Sequence, residues 1–176
     1  LLILEYSTKE KLLMNRINLK HAHDNITVKA DWIGLREVKE STTYRIIRDL
    51  NPESNNTSID HGIMIEVLVN GQFGYCGTHD ISYDSIQRAA EKASIQAENA
   101  SKYSICSFNE EVRPKSVGEY MSPYELKDMP LSDLMDTLIE SNKILRGSKK
   151  IASAVSMARI VNMDMNFVSS NGSNFK

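Results

Sequence analysis

The stretch from His61 to Tyr103 restricts the fold of this chain more than any other. Its first half runs through Asn70-Gly71, a dipeptide whose tolerance of positive φ suits a two-residue type I′ turn. That loop sets the pairing. Val69 should face Gln72, Val67 Gly74, Ile65 Cys76 and Ile63 Thr78, with Leu68–Phe73, Glu66–Tyr75 and Met64–Gly77 on the other side. Neither side is polar throughout, which predicts a central strand over 63–69 covered on both faces. Gly74 and Gly77 predict close backbone approach or a bulge. The second half carries Ile86, Ala89, Ala90, Ala93, Ala97 and Ala100 at i, i+3, i+4 spacing, so a helix over 82–103 should lay a narrow face on that sheet. Asp80 or Ser82 caps it, and Asp84 sits near its positive end.

The flanking sequence supplies more of both element types. Residues 1–24 read as a helix capped by Ser7 or Thr8, with Leu12, Leu13, Ile17 and Leu19 on its apolar side. Thr27 to Asp49 alternates with period two and predicts a second hairpin turning at Glu40-Ser41. The run Asn51–Asn56 reads as a loop and Thr57–Asp60 as a short strand. After Tyr103 comes a connector punctuated by Arg113-Pro114, Ser122-Pro123 and Met129-Pro130, with Tyr120 and Tyr124 as anchors. A helix from Leu131 to Arg146 follows, capped by Ser132 and stopped by Gly147, with Leu134, Met135, Leu138, Ile139 and Ile144-Leu145 on one face. Residues 151–168 return to alternation, with a turn near Asn162-Met163-Asp164. Asn171-Gly172 is a further tight-turn dipeptide with no returning strand expected in the four residues after it, and with Leu1 rather than Met at the start it suggests a piece of a longer protein. The expected class is α+β, a mostly antiparallel sheet with the Ala-striped helix packed on it, flanking helices and the start of a second sheet. The expected division is an amino-terminal domain over 1–108, a connector over 109–130 and the beginning of a second module over 131–176.

Composition narrows the function. The chain has 176 residues, 41% hydrophobic and 25% charged, which favours a globular domain over disorder. A net charge of -2 gives no field for nucleic acid, and Lys20-His21-Ala22-His23 and Lys149-Lys150 are short basic patches. No apolar run approaches the length that spans a bilayer. Cys76 and Cys106 lack C-x-x-C spacing and read as neutral thiols of a reducing cytoplasm, with a disulfide the lesser alternative. His21, His23 and Asp24 form either half of a metal site or a polar helix end whose histidines suit the dipole. His61 and His79 bracket the hairpin's open end. His79-Asp80 reads as a general-base pair or, preferably, as a turn residue beside a cap. Cys76 reads as a small core residue rather than a nucleophile. Nothing forms a catalytic constellation.

An ordered set of motifs adds to this. Ala30-Asp31-Trp32-Ile33-Gly34-Leu35-Arg36, then Gly62-Ile63 and Gly71-Gln72-Phe73-Gly74-Tyr75, then Thr78-His79-Asp80-Ile81-Ser82 and the Ala-rich helix resemble the amino-terminal domain of the TldD/PmbA family, the modulators of DNA gyrase. Tyr120-x-Ser122-Pro123 and Phe167-Val168-Ser169-Ser170-Asn171-Gly172-Ser173 continue the resemblance, and the aromatic in Gly71-Gln72-Phe73-Gly74 resembles the TldD branch more than the PmbA branch. The resemblance implies a cytoplasmic zinc-dependent peptidase acting on unfolded or small peptides, with two protomers, identical or paralogous, enclosing a chamber. The family's metal comes from a His-Glu-x-x-x-His helix and a later ligand in the carboxy-terminal half. None of the four histidines here is followed by Glu. No catalytic, cofactor-binding or metal residue is therefore carried onto this chain, and zinc is expected in the missing half. The implied role is non-catalytic: forming the homodimer or heterodimer and the walls of the chamber for peptide substrates, without nucleic acid or membrane. The alternative is a stand-alone peptide- or protein-binding regulatory module.

Overall fold

The computed structural model describes residues 17–121 and 130–176. The expected caps Ser7 and Thr8, the helical face through Leu12 and Leu13, Ser122-Pro123 and the Tyr124 anchor lie outside the described residues. The elements in chain order are α1 (Leu19–Asp24), β1 (Trp32–Arg48), β2 (Asn51–Val69), β3 (Gln72–Thr78), α2 (Tyr83–Ser101), a 3-10 turn (Glu110–Val112), β4 (Val117–Gly118), α3 (Leu131–Leu145), β5 (Val155–Ser169) and β6 (Asn174–Phe175). They form the expected α+β architecture on one six-stranded sheet of order β3-β2-β1-β5-β6-β4. β5 and β6 join this sheet rather than beginning a second one.

The Asn70-Gly71 hairpin has the register its loop length dictates, from Val69 opposite Gln72 to Ile63 opposite Thr78. Both turn residues have positive φ, 50° and 75°, as a type I′ turn requires. β2 is interior to the sheet and β3 is its edge. On one face Ile63, Ile65, Val67 and Val69 are buried with Ile33 and Leu35 of β1, and α2 covers them with Ile86, Ala89, Ala90, Ala93 and Ala97. Ala100 is exposed beyond this contact. Gly74 is where helix and sheet come closest: a Cβ there would overlap the Ala93 carbonyl oxygen and crowd the Ala97 nitrogen. Gly77 has no such neighbour, so its small size serves no close approach. Ser82 is the N-cap, its hydroxyl accepting from Ser85 N at 3.3 Å, and Asp84 lies in the first turn.

Three expected breaks in the strands are absent. β1 passes straight through Glu40-Ser41, and the turn falls at Asp49-Leu50, with φ of 51° and 69°. Asn51–Asn56 belongs to β2 rather than to a loop. Its side chains are almost all exposed, so it lacks the apolar alternation that marks a strand. β5 likewise runs unbroken through Asn162-Met163-Asp164. A short returning strand does follow Asn171-Gly172, where none was expected: β6 pairs antiparallel with β5, Phe167 opposite Phe175, and parallel with β4.

The described residues group into two compact units. One takes the residues up to Lys39, with His61–Tyr120 and Asp164–Lys176; the other takes Glu40–Asp60 and the described part of Met121–Met163. In the second unit the anchor of α3 is polar. Asn142, fully buried, accepts from Leu50 N at 2.9 Å and donates to the carbonyls of Ile47 and Ala154 at 3.3 and 3.1 Å. Leu138 is buried beside it on the helix, whereas Ile144 and Leu145 of the expected apolar face are exposed. The N-cap of α3 is Pro130, without a side-chain cap, so Ser132 does not play that part.

Candidate functional site

The face of the sheet opposite α2 carries the site, within the first unit. Strand alternation puts Trp32, Gly34 and Arg36 of β1 on it, beside Met64 and Glu66 of β2, Tyr75 of β3, Met165 and Phe167 of β5 and Phe175 of β6. Gly34 is required here because a Cβ would overlap the Trp32 ring and crowd Phe167. The indole thus lies along its own strand. It meets Phe73 edge-on at 6.1 Å and Phe167 at 6.4 Å, and Phe167 stacks on Phe175 at 4.9 Å. The result is an aromatic floor.

The connector after α2 forms one wall. Its start is tied to the hairpin turn, with Phe108 N donating to Gly71 O at 2.8 Å and Gln72 Nε2 to Cys106 O at 2.5 Å. The 3-10 turn, capped by Asn109, then directs Arg113 back over the sheet. Its guanidinium lies 4.7 Å from the Phe73 ring centre and donates to Glu66 Oε1 at 2.5 and 3.1 Å. Asn171 Nδ2 holds the Arg113 carbonyl at 2.7 Å, and Ser173 Oγ accepts from Ser116 N at 3.1 Å. Between wall and floor is a cavity of about 530 Å³, within the general range of roughly 300–1,000 Å³ for small-ligand sites. The Glu66 hydrogen bond holds Arg113 firmly protonated. Burial, reinforced by Glu66, pushes the Tyr75 phenol up, so its hydroxyl remains a donor. Arg36 also lines the cavity and is exposed.

The histidines do not gather there. His21 meets Tyr83 edge-on at 5.3 Å, and His23 Nδ1 lies 3.3 Å from Asp24. Among the described residues no three His, Cys, Asp or Glu side chains come together as a metal-holding group. Metal chemistry therefore finds no fitting ligand set in them. His61 and His79 are not partners. His61 Nε2 bonds the buried Glu37 at 2.8 Å, and Glu37 also accepts from Asn166 Nδ2 at 3.1 Å. Asp80 is occupied in capping: it accepts from Ser85 Oγ at 2.5 Å and Ser82 N at 3.0 Å. These bonds, the one from Ser85 foremost, hold its carboxyl down at about 2. The His79-Asp80 base pair does not form. Both cysteines are free thiols, Cys76 half-buried and Cys106 exposed. Sequence reasoning missed Glu37, Glu66 and Arg113. A charged residue inside the apolar run Ile63–Val69 is the available signal for Glu66; Arg113 stands in the sequence only as part of a Pro-punctuated connector.

The chain can be set beside known proteins. Residues 35–97, which span most of β1, then β2, β3 and most of α2, match the family model described as PmbA/TldA metallopeptidase domain 1. No curated protein matches the sequence. Among solved structures, TldE from Thermococcus kodakarensis is 16% identical, with a TM-score of 0.55 over 89% of this chain and 35% of that one. A modulator of DNA gyrase from Thermotoga maritima is 11% identical, with a TM-score of 0.59 over 81% of this chain and 32% of that one. One from Bacteroides thetaiotaomicron is 16% identical, with a TM-score of 0.55 over 96% of this chain and 38% of that one. The chain spans about a third of the length of these structures. Their low identities speak for the fold alone, and neither branch of the family is preferred. In sequence over its central hairpin and helix, and in fold over most of its length, the chain resembles the amino-terminal domain of the PmbA/TldD family.

Proposed function

We propose that this chain is the non-catalytic amino-terminal part of a PmbA/TldD-like metallopeptidase, working in the cytoplasm as a wall of the chamber in which peptides are hydrolysed. The match of residues 35–97 to a metallopeptidase first domain carries this reading. The aromatic cavity on the sheet face opposite α2 supports it, because such a surface can hold apolar side chains away from water. On this reading the catalytic zinc belongs to sequence following the chain. A homodimeric or paralogous partner is part of the proposal, supported by the exposure of Tyr103 and Ile105 to solvent.

The test uses a protein that continues this chain in its reading frame. Stoichiometric zinc and chelator-sensitive cleavage of an unfolded peptide are expected, measured by metal analysis and mass spectrometry. A continuation that binds no metal and cleaves nothing would sink the peptidase reading.

A further inference from the structure

We propose that the aromatic cavity receives the C-terminal end of a peptide, with the last side chain apolar and the free carboxylate held by Arg36. This deepens the reading of the face as a peptide-facing wall and rests on it. Arg113 and Arg36 both line the cavity, but Glu66 engages only Arg113. Among the described residues Arg36 makes no side-chain hydrogen bond or ion pair. Two guanidinium groups against one carboxylate leave a positive charge beside an aromatic floor. A guanidinium meets a carboxylate through two parallel hydrogen bonds, a geometry that an internal peptide bond does not offer. The floor of Trp32, Phe167 and Phe175 accepts an apolar side chain. Tyr75 and Ser116 line the same cavity and suit the preceding amide. A plain hydrocarbon tail would offer the cavity's polar groups no hydrogen bond.

Trp32 is the sole tryptophan of the chain and lines the cavity, so its emission reports occupancy. The chain would be titrated with acetyl-Ala-Leu, its C-terminal amide and octanoate, following fluorescence and, in parallel, heat. The acid is expected to bind at least about tenfold more tightly than the amide, and more tightly than octanoate, which lacks the preceding amide. Arg36→Gln should bring the acid to the affinity of the amide while leaving the amide unchanged; Arg36→Lys should restore part of the difference. Equal affinities for acid and amide, a difference that survives Arg36→Gln, octanoate binding the tightest, or no heat and no emission change would each overturn the proposal. Peptide cleavage by the continued protein, with equal acid and amide binding here, would remove this inference and keep the peptidase reading. Acid-selective binding without cleavage would do the reverse.

Discussion

Asn142 shows how much one side chain can hold. It is fully buried in α3 and bonds both the Leu50 amide and the carbonyls of Ile47 and Ala154. Asn142→Leu would leave these groups desolvated without partners, at a cost of about 1–3 kcal/mol, read as a lower urea midpoint at unchanged slope. Its role was not legible beforehand: its place one turn after Leu138 puts it on the buried face, but nothing local names the distant backbone groups of Ile47, Leu50 and Ala154 that it meets. Gly74, by contrast, was legible: a weak strand former amid apolar residues implies a neighbour that needs its missing side chain. Asp80 gives a pH signature. Its carboxyl is held at about 2, below the usual 3.8, so it favours the folded state above the unfolded value. That contribution disappears as pH falls from 3.8 towards 2. In Asp80→Asn this part of the acid decline in melting temperature should be missing; an identical decline in both proteins would contradict the capping role.

Among the elements, the hairpin and α2 were readable because local chemistry and burial agree there. Asn70-Gly71 dictates the register, and every alanine of the stripe except Ala100 meets the sheet. The long β1–β2 ribbon was not. Its turn, Asp49-Leu50, contains no glycine, although both residues have positive φ. The strand that leaves it exposes its side chains, so periodicity is silent and Asn-Pro and Asn-Asn steps read as a loop. What holds the turn is remote in sequence. Asp49 accepts from Ala154 N at 2.9 Å and Ser153 Oγ at 3.0 Å, and the Leu50 amide is held by Asn142. Leu50 pays a left-handed backbone penalty of about 1–2 kcal/mol that glycine would not. Since its side chain is exposed at 41% and the amide bond to Asn142 survives the change, Leu50→Gly should leave the melting temperature equal or higher. A marked fall would show that the leucine side chain stabilises the turn.

At the scale of the whole molecule, the fold class was legible and the site was not. Trp32-x-Gly34-x-Arg36 lay in plain view as a family motif, but the cavity also needs Arg113 from the connector and Phe167 and Phe175 from the far end of the chain. No local pattern joins segments so distant; strand order does. The same order bears on how this molecule meets others. One outermost strand, β3, is seven residues long, and one of its backbone donors, Tyr75 N, is already taken by Gln96 Oε1 of α2 at 2.7 Å. The other, β4, is two residues long. A strand arriving at β3 would meet an edge donor already bonded to a side chain of its own molecule, one of the devices by which sheet borders resist open-ended stacking. The sheet's face offers a different kind of surface: side chains there can check identity, whereas main-chain pairing would accept almost any sequence.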